Sequence, residues 1–183
     1  MDTKFLLYIK GTYLTKRELG CVLFYRLRGI QMKVVIDMAT VQDAYEILAL
    51  QKRAYRSEAE LYNDFSIEPL IQTVEELKRQ FNNHTVLKAS KGKSIIGSVR
   101  CYNENESSFI GKLMVHPEYQ GLGVGKLLMQ EIEKACFAQR YELFTGSNSL
   151  KNIRLYEKLG YRIFNTKVIN EQVSLVFMEK TNA

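Results

Sequence analysis

The stretch Leu113-Met-Val-His-Pro-Glu-Tyr-Gln-Gly-Leu-Gly-Val-Gly-Lys-Leu-Leu128 decides the fold. An apolar, strand-like run enters three glycines spaced two apart, and Val124, Leu127, Leu128, Ile132, Ala135 and Cys136 then mark one face of a helix expected to reach about Arg140. Gly121, Gly123 and Gly125 lack a Cβ where backbone must come close to a ligand. The helix N-terminus aims free N–H groups and its positive dipole end at the same point. That combination is a phosphate cradle. A Rossmann fingerprint fails because the third glycine comes one residue early, and a Walker A loop fails because position 120 is Gln and Leu127 follows Lys126. A plain strand-to-helix turn, with glycines serving only tight packing, is the alternative.

Working outward, strands and helices alternate. Lys33 to Met38 reads as a strand, and Thr40 caps a helix to about Arg56 with Val41, Ala44, Tyr45, Leu48 and Tyr55 near helical spacing. Ser57 to Leu70 reads as an acidic connection carrying Glu58, Glu60, Asp64 and Glu68. Thr73-Val-Glu-Glu76 is a capping box opening a second helix to about Asn82. Strands are expected at 85–90, 94–102 and 107–115, then at 142–145, 161–168 and 173–179, with a helix at 150–159 stopped by Gly160. A hairpin before the glycine turn and a crossover after it predict an α/β (mixed α+β) fold: a central, mostly antiparallel mixed sheet flanked by helices on both faces.

With 183 residues, 46% hydrophobic and 25% charged, the chain reads as globular, not disordered or collagen-like. The net charge of +6 is concentrated: residues 1–31 carry +4 and residues 32–183 only +2. A nucleic-acid partner is therefore not expected, while small anionic ligands stay open. Cys21, Cys101 and Cys136 form an odd, widely spaced set, so neither a disulfide framework nor a zinc ribbon is expected. His84 and His116 lack ligand-spaced neighbours, and no structural metal is expected. No apolar run approaches the roughly 20 residues that span a bilayer, and no signal peptide is recognisable, so a cytoplasmic location without membrane contact is expected.

The domain proper is expected to start near Met32 and to run from 32 to 183. Residues 1–31 are then either an accessory segment or the translation of an upstream region. Arg28-Gly29-Ile30 can be encoded by a purine-rich run just before an in-frame Met.

Val115-x-Pro117-x-x-Gln120-Gly121-x-Gly123-x-Gly125 resembles the acyl-CoA motif, Q/R-x-x-G-x-G/A, of the GNAT superfamily of N-acyltransferases, and Asn152-Ile-Arg-Leu-Tyr-Glu-Lys-Leu-Gly-Tyr161 resembles its second signature. The resemblance covers about 150 residues. It implies acetyl-CoA as co-substrate and direct transfer of an acetyl group to a primary amine on a small molecule or peptide. Residues Gln120, Gly121, Leu122, Gly123, Val124, Gly125 and Lys126 would hold the CoA pyrophosphate through backbone amides. Leu113, Met114 and Val115 would pair with the pantetheine arm, an N–H near Met114 polarising the thioester carbonyl. Asn152 would bond the pantetheine or adjacent backbone, although many relatives place an Asn where this chain has Ser149. A homodimer is open, dimers being common among relatives.

Tyr156 is the candidate catalytic acid. A thiolate leaving group with a conjugate acid near ~8.5 can take a proton from a phenol of pKa ~10. Packing beside Leu155 and Leu159 is the competing role for that side chain. The acceptor ammonium must lose a proton before attack, being neutral in only about one molecule in two thousand at pH 7. The strand 107–115 carries Lys112 and no Glu. Glu58, Glu60, Asp64 and Glu68 are candidates, and the base stays unassigned. Cys101 and Cys136 read as buried packing residues and not as nucleophiles. A non-catalytic acyl-CoA sensor and a nucleic-acid-binding accessory protein are the rival functions. The sequence leaves the acceptor unidentified.

Overall fold

The computed structural model describes residues 7–9, 12–14, 20–27 and 30–182, with side chains from Lys33 to Asn182. Much of the expected N-terminal extension, including the Cys21 side chain, lies outside the described residues.

Strands β1 (Leu7–Ile9) and β2 (Thr12–Leu14) form a small antiparallel ribbon. The main sheet contains β3 (Gly20–Leu27), β4 (Ile30–Met38), β5 (Thr85–Lys91), β6 (Ser94–Glu104), β7 (Ser107–Val115), β8 (Arg140–Gly146), β9 (Arg162–Val168) and β10 (Ser174–Thr181). Their spatial order is β3-β4-β5-β6-β7-β8-β10-β9. Strands β4 to β10 make up seven of its members and β3 adds an eighth at the β4 edge. Among the described residues every strand pairing is antiparallel except β7 with β8, where the crossover helix forces the strands to run together. The expected mixed, mostly antiparallel sheet is what the chain forms.

The helices depart from expectation mainly at their ends. A 3-10 turn at Val41–Asp43 leads into α1 (Ala44–Tyr62), six residues longer than the expected stop at Arg56. Ser57-Glu-Ala-Glu-Leu contains no breaker, and the helix ends only where Asn63 turns left-handed at φ 49°. Its buried residues are Ala44, Ile47, Leu50, Gln51, Ala59 and Tyr62, whereas Val41 and Tyr45, expected on the apolar face, are exposed. A single turn, α2 (Glu68–Ile71), precedes α3 (Val74–Gln80). The Thr73 capping box forms as read: Glu76 N–H donates to Thr73 Oγ1 and Thr73 N–H donates to Glu76 Oε2. Helix α4 (Val124–Ala135) ends before Cys136, short of the expected Arg140, and α5 is Leu150–Lys158.

Two apolar cores hold the layers together. One joins α4 and α5 to the sheet through residues such as Leu128, Met129, Ile132, Val99, Tyr141 and Tyr156, and the other joins α1 and α3 to it through Ile47, Leu50, Leu77, Ile95 and Met114. Helix α4 sits so close to β6 that a Cβ on Gly97 would lie 2.8 Å from Leu128 Cδ1 and 3.2 Å from Val124 Cγ1. That close approach brings Cys136, just past α4, over Cys101 of β6, and the two form a disulfide across 6.8 Å between Cα atoms. The expectation of unpaired, packed cysteines is corrected here, since their 35-residue separation in sequence hides a neighbour relation that exists only once α4 lies on β6.

Candidate active site

The glycine turn is built in stages. Strand β7 ends at Val115, His116 caps a 3-10 turn at Pro117–Tyr119, and the Gln120 side chain reaches back to donate to the Val115 carbonyl at 3.1 Å. Gly121 and Gly123 then adopt φ of +72° and +82°, a region that costs any residue with a Cβ. Gly125 is different. It lies in the first turn of α4, and a Cβ there would meet Leu155, Val115 and Leu113 at 3.6–3.8 Å, which is ordinary contact. The first helical bond is from Leu127 N–H to the Gly123 carbonyl, and among the described residues no acceptor takes the N–H groups of residues 121–126. Six successive donors at the positive end of a 12-residue helix suit a multiply charged diphosphate, so the local chemistry fits the pyrophosphate of CoA.

Beside this turn the sheet opens. Strands β7 and β8 pair only over Ser107–Phe109 and Arg140–Glu142 and then diverge. On its other edge β7 stays paired with β6, Gly111 opposite Arg100, Met114 opposite Ser98 and Val115 opposite Gly97. The register slips between Ser98 and Arg100, and Lys112, with φ +51°, is the extra residue on β7. Residues 113–115 therefore present a backbone edge that β8 does not cover. An extended polar chain such as a pantetheine arm can pair with it as a strand would. Leu113 and Val115 lean on the α4 core, while Met114 is buried in the α1 core.

Where the strands separate, four segments bring polar side chains together. Tyr156 on α5 is 7% exposed, its ring edge-on to Tyr161, and its hydroxyl has no hydrogen-bond partner among the described residues. Burial first, and then the facing Tyr55 and Glu58 groups, push its pKa above the ordinary phenol value, so the proton is held at neutral pH. Glu58 approaches from α1: Ser149 Oγ donates to its Oε2, and Asn152 Nδ2 donates to its Oε1 at 3.2 Å. Asn152 also donates to Thr145 Oγ1 at 3.4 Å, so both of its amide contacts are with protein groups. Tyr62 accepts the Asn148 N–H at 2.7 Å, and a Cβ on Gly146 would collide with the Tyr62 hydroxyl.

Of the four candidate carboxylates, only Glu58 acts on the Tyr156 phenol, through its charge. Glu60 pairs with Arg56 on the surface, Asp64 caps its own loop at Ser66, and Glu68 meets Lys112. Burial pulls the Lys112 ammonium down to about 8, while the Glu68 carboxylate against it favours the charged form. Gln51, Tyr55, Glu58 and Tyr62 follow the helical i, i+4, i+7, i+11 spacing, a signal that emerges once α1 is carried to Tyr62. Arg100 on β6, unremarked in sequence, joins the same neighbourhood through the charge it exerts on Tyr55. Among the described residues no group of three His, Cys, Asp or Glu side chains is placed to hold a metal ion, and no helix is long and apolar enough to cross a membrane.

Known proteins share this chain's family and fold. A family model described as Acetyltransferase (GNAT) family matches residues 42–161. The chain is 26% identical over 125 residues to an uncharacterized N-acetyltransferase, ycf52, of Porphyra purpurea, covering 60% of this chain and 71% of that protein. It is 28% identical over 120 residues to the UPF0157 protein YqkA of Bacillus subtilis, covering 65% of this chain but only 34% of that longer protein. Among solved structures, the PaiA N-acetyltransferase of Thermoplasma acidophilum, crystallised with coenzyme A, superposes with a TM-score of 0.68 at 19% identity, covering 82% of this chain and all of that one. The ribosomal-protein-S18-alanine N-acetyltransferase of Escherichia coli superposes with a TM-score of 0.66 at 14% identity, covering 81% and 93%. At such identities the structures speak for the fold alone; the family match, which spans more than half of the chain, makes this protein a member of the GNAT acetyltransferase family.

Proposed function

We propose that this protein transfers an acetyl group from acetyl-CoA to a primary amine by direct attack. The observation that supports this most is the convergence, beside the diverging ends of β7 and β8, of a carboxylate and a protonated phenol from different helices. In this reading the N–H groups of residues 121–126 bind the pyrophosphate and the open edge at 113–115 orients the pantetheine. The thioester supplies an activated acyl carbon and a thiolate leaving group.

Glu58 takes the ammonium proton, so that the nitrogen lone pair can form the new C–N bond as the C–S bond breaks. The Tyr156 hydroxyl donates its proton to the departing sulfur and takes up the second proton that the acylated nitrogen sheds, while Glu58 releases the first to solvent. Ser149 and Asn152 fix the Glu58 carboxylate for this work. No acyl-enzyme is required, which agrees with Cys101 and Cys136 being joined to each other.

The test is thiol release from acetyl-CoA across a panel of amines, run beside calorimetry of CoA binding. Amine-dependent release is expected. Tight CoA binding with no release for any amine would leave a sensor, and no CoA binding would remove the reading altogether.

A further inference from the structure

Among the described residues, no group balances the charge of Arg100. It lies in the middle of β6, is only 5% exposed, and makes no ion pair or side-chain hydrogen bond among the described residues; its Nη1 is buried without a partner. Withdrawing a guanidinium from water is among the largest penalties a fold can carry, and a chain normally supplies a carboxylate in return. The nearby phenol of Tyr55 does not serve, because burial raises it to about 12 and it stays neutral. The half-buried cation at this place, Lys112, is already matched by Glu68.

The surroundings say what the charge is for. Arg100 stands directly opposite Gly111, and directly opposed residues of an antiparallel pair share a face. A Cβ on Gly111 would find nothing within 4 Å, so the face of the sheet is open at the position paired with Arg100. Tyr55 feels the charges of both Arg100 and Glu58, the first lowering and the second raising its pKa, so both groups act on the same phenol.

We propose that Arg100 anchors a carboxylate of the acceptor, and that the acceptor is a small amino carboxylic acid whose ammonium faces Glu58 while its carboxylate meets the guanidinium. The planar fork of Arg matches a carboxylate through two parallel hydrogen bonds. One uncompensated cation suits a singly charged anion; a phosphate dianion would call for a second, and Lys112 is committed to Glu68. The depth of Arg100 favours a free small molecule over a side chain on a folded protein. For its amine end this assignment rests on the acetyl-transfer reading, but its carboxylate end is open to separate measurement.

The experiment is equilibrium binding to the full chain loaded with CoA, comparing amino acids and dipeptides with partners lacking only the carboxylate: lysine with cadaverine, phenylalanine with phenethylamine, and each amino acid with its methyl ester. The carboxylated member is expected to bind roughly 10²-fold more tightly, as a site built for a buried polar partner discriminates against its absence. In Arg100→Met that preference disappears, and in Arg100→Lys part of it returns. Because Arg100→Met removes an unpaired buried charge, it is expected to melt at or above the wild-type temperature; a clear loss of stability would mark Arg100 as structural and overturn the assignment. Failure of every carboxylated compound to outbind its partner, or a preference that survives in Arg100→Met, would overturn it as well. Carboxylate binding that depends on Arg100 without acetyl transfer would sustain this inference and sink the acetyl-transfer reading. Transfer indifferent to the carboxylate would do the reverse.

Discussion

On one side of the cleft, six consecutive backbone N–H groups from residues 121–126 gather at the start of α4; on the other, Tyr55, Glu58, Arg100, Ser149, Asn152 and Tyr156 arrive as side chains from α1, β6 and α5 with the turn before it. The first side is local and is made of main chain, so its specificity lies in conformation. The second is assembled across the whole domain, so its specificity lies in which side chains are present. The same fold can therefore keep one ligand constant and exchange the other, because changing a side chain leaves backbone donors in place.

That contrast can be broken by substitution. The largest effect is expected from Glu58→Gln, which should lower kcat/KM by roughly 10³-fold while leaving CoA affinity nearly unchanged, as steady-state kinetics and calorimetry would show. Undiminished turnover would place the base elsewhere. Tyr156→Phe should lower kcat by roughly 10²-fold with the fold intact by circular dichroism. Wild-type turnover there would confine Tyr156 to packing.

Conformation should govern the glycine side instead. Gly123→Val, at φ +82°, is expected to cost about 1–3 kcal/mol of stability in chemical denaturation. Gly125→Ala, whose Cβ meets only ordinary contacts, should be neutral or stabilising by up to about 1 kcal/mol. Equal penalties at the two positions would contradict the conformational account.

The smallest effect sharpens the acceptor side. His84 packs edge-on to Tyr102, and burial first, then the Arg100 charge, hold its pKa below the ordinary 6.5, against the opposing effect of the hydrogen bond that its Nδ1–H donates to the Gln80 carbonyl. As pH falls through 6.5 the unfolded chain takes up this proton before the folded one does, so stability is lost until the folded His84 titrates. In Arg100→Met the cation is gone, protonation becomes easier, and the His84 resonance should titrate at higher pH by NMR. An unmoved titration would show that Arg100 does not act on this neighbourhood electrostatically.

The same division explains what the sequence discloses. Strand β7 has the expected limits, and the Thr73 capping box and the glycine turn are legible, because each rests on a few adjacent residues whose backbone needs are fixed by residue type. The last turns of α1 are not legible. There the inward-facing Glu58 interrupts the apolar repeat that would carry the helix past Arg56, so the segment reads as a polar connection. Arg100 gives no local sign either: a lone cation in a strand suggests a solvent-facing position, and only the packing of α1 over β6 and β7 hides it from water. Glu58 stood among four acidic residues of equal standing, and only the fold separates it from Glu60, Asp64 and Glu68.

The bond between Cys101 and Cys136 has a topological result. Everything from the residue after Arg100 to the end of α4, including β7, the bulge at Lys112 and the glycine turn, becomes a closed loop within an otherwise linear polypeptide. Unfolding can separate the two termini but not the ends of this loop, so the unfolded chain keeps the glycine turn inside a covalent ring. A protease cutting once inside the loop would leave a single covalent species until a reductant is added, whereupon two fragments would separate.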